Sequence, residues 1–175
     1  IRRKGGGQVN MTPGLVLCHG VFDIVHSGHL EHFRQARNFG TSLVVAIVAD
    51  KYVRKGEGRP IFNQHQRSEF LAALRMVDEV LIIDSSVAMP ALEKLKPSIF
   101  CKGPDYANPN HPFAEDFQKE KAFVESYGGR VVLTTGFSSS STAIIDKAGL
   151  RPIPPRNPDP RLRRKWPTIQ WLKRI

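Results

Sequence analysis

His26-Ser27-Gly28-His29 is the stretch whose residue types and spacing are best suited to chemistry. It follows an apolar run at 15–19 and a glycine, Gly20, and it opens a segment of helical period. Histidines at i and i+3 share one face of a helix, here its first turn. The unsatisfied backbone N–H groups and the positive end of the helix dipole point the same way, so phosphate is the natural ligand. Gly28 has no side chain to stand between backbone and phosphate. A zinc reading of His19, His26, His29 and His32 fails on ligand type, since His19 ends a strand and no cysteine or carboxylate completes a usual set. No metal site is assigned. His32 is expected to be packed or solvated, and His65 and His111 to lie in surface loops or at helix ends.

The elements that position this stretch are legible from periodicity. Short apolar runs alternate with longer segments of helical period between Leu15 and Ala148, which predicts strand-helix units and a parallel sheet. Strands are expected over 15–19, 42–49, 79–83, 98–102 and 130–134, and their near-continuous Val, Ile and Leu suits strands covered on both faces. Helices are expected over 28–38, 64–76, 90–95, 114–127 and 142–147. Asn63 is the expected cap of the second, and Gly40 and Gly128-Gly129 the stops of the first and fourth. Cys18 and Cys101 are expected to be small reduced core residues.

The chain has 175 residues and a net charge of +10, from 26 basic and 16 acidic residues. That total suggests nucleic acid, but its distribution does not. Residues 1–4 hold three basic groups and residues 151–175 hold eight against one acid, leaving 15 of each sign in 5–150. The excess belongs to the ends, as in an appended arm, so nucleic acid is not the expected partner. Six of the thirteen prolines fall between Pro152 and Pro167. The expected organisation is an N-terminal basic, Gly-rich extension over 1–11, one α/β domain over 12–149, and an extended basic Pro-rich C-terminal arm over 150–175. No apolar run approaches the roughly 20 residues of a bilayer span. Residues 1–7 lack the apolar stretch of a secretion signal, so a soluble cytoplasmic protein with no membrane partner is expected.

Gly20-Val21-Phe22-Asp23-Ile24-Val25-His26-Ser27-Gly28-His29 resembles Gly-x-Phe-Asp-x-x-His-x-Gly-His, the signature of the cytidylyltransferase-like nucleotidyltransferases. Further stretches follow in that family's order. Arg75-Met76-Val77-Asp78-Glu79-Val80 resembles its helix-to-strand element. Lys55-Gly56, Arg59-Pro60 and Gln66-Arg67 are similar to the basic loop and helix start of the bacterial ADP-heptose synthase branch. Lys102-Gly103-Pro104-Asp105-Tyr106 resembles that branch's Lys-Gly-Gly-Asp-Tyr, with Pro104 in place of the second glycine. Ser140-Ser141-Thr142-Ala143-Ile144-Ile145 resembles the element that closes the nucleotide site.

The resemblance covers residues 12–148 and implies a Rossmann-like doubly wound parallel sheet of about five strands. It also implies an enzyme whose acceptor phosphate attacks the NTP α-phosphorus in line and releases pyrophosphate. His26, His29 and Lys55 would then be the catalytic groups that hold and neutralise the triphosphate. Gly20, Val21, Phe22, Gly28 and the 139–142 stretch (Ser139, Ser140, Ser141, Thr142) would line the nucleotide. Asp23, Asp50, Arg59, Arg67, Lys102 and Asp105 would serve the acceptor, with Arg67 or Arg59 holding its phosphate bidentately. Mg²⁺ is the expected cofactor, held mainly by phosphate oxygens and water. The implied partners are an NTP and a phosphorylated small-molecule acceptor, and a homodimer is the expected assembly. The product would be an NDP-sugar such as ADP-heptose. Two alternatives stay open: a CTP-dependent enzyme for glycerol 3-phosphate or another alcohol phosphate, and a non-catalytic module that binds a partner or nucleic acid through its basic tail.

Overall fold

Alternate residues of one strand point to opposite faces of a sheet, and here both faces need cover. In the first strand, β1 (Thr12–Gly20), Leu15 and Leu17 join one apolar cluster while Val16 and Cys18 join another. The structure, a computed structural model, describes residues 11–136 and 141–149, without the side chains of 141–143. The other strands are β2 (Ser42–Val48), β3 (Glu79–Ile83), β4 (Pro97–Lys102) and β5 (Arg130–Leu133). All pairs are parallel, in the order β3-β2-β1-β4-β5. Between them run α1 (Ser27–Arg37), α2 (Gln64–Ala72), α3 (Met89–Leu95) and α4 (Ala114–Ser126), and α5 (Ser141–Ala148) follows β5.

Phe33 and Ala36 of α1 and Leu71 of α2 pack on Val16, Cys18, Val45 and Ile82. On the other face Leu92 of α3 and Phe117 and Val124 of α4 pack on Leu17, Val44 and Phe100. This is the expected doubly wound sheet. Successive strands move outward from β1 to β3, and the chain then returns to the other side of β1 to lay down β4. The strand order therefore reverses between β1 and β4, and a crevice opens beyond the C-terminal ends of such neighbours.

Two boundaries differ from expectation for physical reasons. β1 begins at Thr12, ahead of Pro13 and Gly14, because Thr12 donates from its N–H to the Lys96 carbonyl and from Oγ1 to the Leu95 carbonyl. The register shifts between Thr12 and Val16, where Gly14 has a φ of 72°, so the breakers sit within an irregular strand start. Helix α2 stops at Ala72, short of Met76, and 73–77 form turns that pass the chain to β3. Its start is as expected: Asn63 caps the His65 and Gln66 N–H groups while Gln66 caps Asn63 in return.

Candidate active site

A glycine, a left-handed residue and an open helix end follow one another directly after β1. Phe22 has a φ of 48°, a conformation that non-glycine residues hold only where the surroundings enforce it. The turn brings its ring beneath Gly20, where a Cβ would meet Phe22 Cζ at 3.0 Å. From there Phe22 lies edge-on to His29 at 5.1 Å and against Phe33 at 5.0 Å. His26 is the N-cap of α1 in extended conformation, and no side chain caps the helix. The first-turn N–H groups stay available to an anion. As the spacing predicted, the His26 and His29 rings share a face, stacked with centroids 3.7 Å apart.

Both histidines line a cavity of about 500 Å³ at the β1–β4 crevice, together with Gly20, Val21, Phe22 and Gly28. Lys55 borders it from the loop after β2. Its side chain is exposed overall, yet protein beside the ammonium lowers its pKa by desolvation, with Arg59 adding to the effect. Asp105, Tyr106, His111 and Phe113 form the opposing rim. Pro104 starts a 3₁₀ turn over Pro104–Ala107, which a proline at the first position favours. That turn presents Tyr106, whose ring lies 4.2 Å from that of His111.

Burial governs the protonation of the histidines. Desolvation first, then the neighbours His26, His32 and Lys55, push His29 down to about 3, against a hydrogen bond with the Ile24 backbone that works the other way. Burial, reinforced by Lys102, pushes His32 down to about 4, with Asp105 opposing. Burial and then Lys102 hold His19 well below the usual histidine range, and burial and then Lys55 lower His26. Near neutral pH His19, His26, His29 and His32 therefore face the cavity as neutral imidazoles.

The sign of the stability effect follows. Between about 4 and the ordinary histidine value of 6.5, the unfolded chain takes up protons that the folded chain refuses at His29 and His32. Stability then falls as pH drops through that window, by up to about 1.4 kcal/mol per pH unit for each such group. Urea midpoints measured at successive pH values from 7 to 5 are expected to decline steadily; an unchanged midpoint would contradict these protonation states.

A family profile described as Cytidylyltransferase-like matches residues 17–147. The chain belongs to the cytidylyltransferase-like family. Among its relatives, the bifunctional protein HldE of Geobacter metallireducens is 40% identical over 136 residues, which are 76% of this chain and 26% of that protein. The chain thus spans about a quarter of the length of these bifunctional relatives. The D-beta-D-heptose 1-phosphate adenylyltransferase of Bordetella bronchiseptica is 38% identical over 137 residues, 76% of this chain and 80% of that protein. A solved structure, the lipopolysaccharide core biosynthesis protein from Thermoplasma volcanium, superposes with a TM-score of 0.58 at 26% identity. It covers 71% of this chain and 98% of its own.

In this member of the cytidylyltransferase-like family, several residues expected to serve the acceptor do not line the cavity. Asp23 is fully buried; its carboxylate accepts from Arg59 Nε at 2.8 Å and from the N–H groups of Ile61 and Phe62, both at 3.0 Å. This pair fastens the 59–62 turn to the β1–α1 loop. Arg67 is also fully buried, donating to the carbonyls of Phe62, Val21 and Val48 at 3.0, 2.6 and 2.8 Å and to Asp50 Oδ1 at 2.7 Å. Asp50 in turn accepts the Gln64 N–H at the start of α2. Arg67, Arg59, Asp23 and Asp50, expected to serve the acceptor, thus bond one another and the backbone and are not among the residues that line the cavity. Lys102 is 2% exposed and does not border the cavity. Asp105 does, paired with His111 at 3.3 Å. Ser139 and Ser140 lie outside the described residues, as do the side chains of Ser141 and Thr142; the backbone from Ser141 starts α5.

Other residues were not expected here. His19, Tyr52 and His111 line the cavity, although only Lys102-Gly103-Pro104-Asp105-Tyr106 drew attention to that rim. His32 lines it too and is buried, its Nδ1 2.9 Å from Thr134 Oγ1. Cys18 and Cys101 are free, buried and adjacent in register on β1 and β4, with His32 ligand-type atoms within 4.8 Å of theirs. Burial and then the neighbouring Cys101 raise the Cys18 thiol well above its usual range, so it is held as the neutral thiol that packs in a core. Among the described residues no helix is long and apolar enough to cross a membrane.

Proposed function

We propose that this chain is a nucleotidyltransferase that joins ATP to a heptose 1-phosphate, releasing pyrophosphate and giving an ADP-sugar. The observation that carries the reading is the stacked His26–His29 pair at the uncapped start of α1, facing Lys55 across one cavity. A relative 38% identical, named a D-beta-D-heptose 1-phosphate adenylyltransferase, supports the choice of acceptor and base.

The reaction needs no covalent intermediate. An acceptor phosphate oxygen attacks the α-phosphorus, a P–O bond forms, and the bond to the pyrophosphate leaving group breaks with charge gathering on its oxygens. Neutral His26 has one ring N–H to donate to those oxygens. The N–H of His29 is engaged by the Ile24 backbone, so His29 donates from its other nitrogen once the negative charge of the triphosphate favours its protonation. Lys55 supplies positive charge from the other side. Phe22 holds the His29 ring in place, and the Asp23–Arg59 and Arg67–Asp50 pairs keep the two loops at a constant spacing. The described lining offers one carboxylate, Asp105, so the residues suit Mg²⁺ carried by triphosphate oxygens and water with at most that single protein ligand. Bound in that way, Mg²⁺ offsets triphosphate charge.

Pyrophosphate release should be followed with Mg²⁺ and either ATP or CTP, against D-β-D-heptose 1-phosphate and glycerol 3-phosphate. Release with ATP and the heptose phosphate is expected. Release only with CTP and glycerol 3-phosphate would favour the other substrate pair, and silence with every combination would remove the enzyme reading.

A further inference from the structure

Lys102 carries the charge that its motif associates with the acceptor, yet the ring that meets the cavity is that of His19. Lys102 Nζ lies 3.4 Å from His19 Nδ1, 4.0 Å from Glu120 Oε2 and 3.9 Å from the centre of the Tyr106 ring. Glu120 is itself buried and tied by Oε1 to the Ala88 N–H at 2.6 Å, so it holds Lys102 from behind. A lysine ammonium only donates, which makes His19 Nδ1 the acceptor and leaves the ring proton on Nε2. His19 is 8% exposed, and its buried Nε2 has no hydrogen-bond partner among the described residues.

Buried donors nearly always have a partner, and one left over in the wall of a cavity is explained by what the cavity receives. The missing partner has to be an acceptor atom. With the Lys102 charge directly behind the ring, an anionic oxygen suits it better than a neutral one. The fold separates this group from the other anion-binding groups. His19 ends β1 and Lys102 ends β4, on the two sides of the strand-order reversal, whereas His26 and His29 belong to the α1 terminus and Lys55 to the loop after β2.

We propose that His19, its tautomer set by Lys102 and Glu120, donates from Nε2 to the phosphate of the sugar-phosphate acceptor. This rests on the nucleotidyl-transfer reading above and names the half of the site that holds the second anion. The triphosphate then belongs to His26, His29 and Lys55.

The test uses the full chain as wild type, His19→Phe and His19→Gln, with KM measured separately for D-β-D-heptose 1-phosphate and ATP, and with melting temperatures to show that each variant is folded. The Phe variant is expected to raise the acceptor KM about tenfold or more while the ATP KM stays within about twofold. The Gln variant, which restores a side-chain N–H, is expected to recover most of the loss. An unchanged acceptor KM in His19→Phe, an equal loss for both substrates, or no recovery in His19→Gln would overturn the assignment. If wild type releases no pyrophosphate, the catalytic reading fails on its own. Calorimetric titration of inorganic phosphate then decides the subsite: binding weakened in His19→Phe and kept in His19→Gln supports it, and equal binding in all three removes it.

Discussion

Replacing His29 by alanine is expected to lower kcat about a hundred- to a thousandfold, the usual consequence of removing one donor from developing oxyanion charge. The effect should appear in kcat more than in the ATP KM, because the charge on the leaving pyrophosphate grows as the bond lengthens. Its stacking on His26 at 3.7 Å and its contact with Phe22 mean that the ring is held in place before substrate arrives. His26→Ala should shift the rate in the same direction. Steady-state pyrophosphate release, paired with ATP binding measured by calorimetry, separates the two quantities. A His29→Ala variant that binds ATP normally and turns over within threefold of wild type would show that the pair is not catalytic.

Arg67→Ala is expected to destabilise the fold by about 3 kcal/mol, as when a buried charged donor is removed from several acceptors at once. The guanidinium joins three separate segments, at Val21, at Val48 with Asp50, and at Phe62, and alanine would leave three carbonyls without this donor. Lysine should restore little of the loss, since a single ammonium cannot reproduce a fork aimed in three directions. The measurement is the urea midpoint of Arg67→Ala and Arg67→Lys. If Arg67 held the acceptor phosphate directly, the midpoint would stay at the wild-type value and only the acceptor KM would rise, so the two roles give opposite results.

The difference between His29 and Arg67 shows where local pattern is informative. Histidines at i and i+3 behind a strand specify both their common face and the helix end beneath them, so their stacking in a cavity needed only helix geometry. The same holds for the sheet. Apolar runs on both faces of each strand, alternating with helical segments, admit few arrangements other than a parallel doubly wound sheet. The Asn63 cap, with Gln66 three residues on, is a local interaction that the sequence spells out.

Arg67 is a case of the opposite kind. An arginine near a cavity has two outlets, a ligand or backbone carbonyls, and which one it takes depends on segments 46 and 19 residues away in the chain. Asp23 resembles it, since its three donors come from residues 36 to 39 positions further on. Lys102 and His19 are 83 residues apart and meet only because β1 and β4 are neighbours in the sheet. By itself, then, the sequence determined the α/β sheet, its helices and the paired histidines at the open start of α1, because those depend on spacing within one or two elements. Only the tertiary structure decided which charged residues face the cavity and which support it, because that depends on the strand order and on where each buried charge finds its partner.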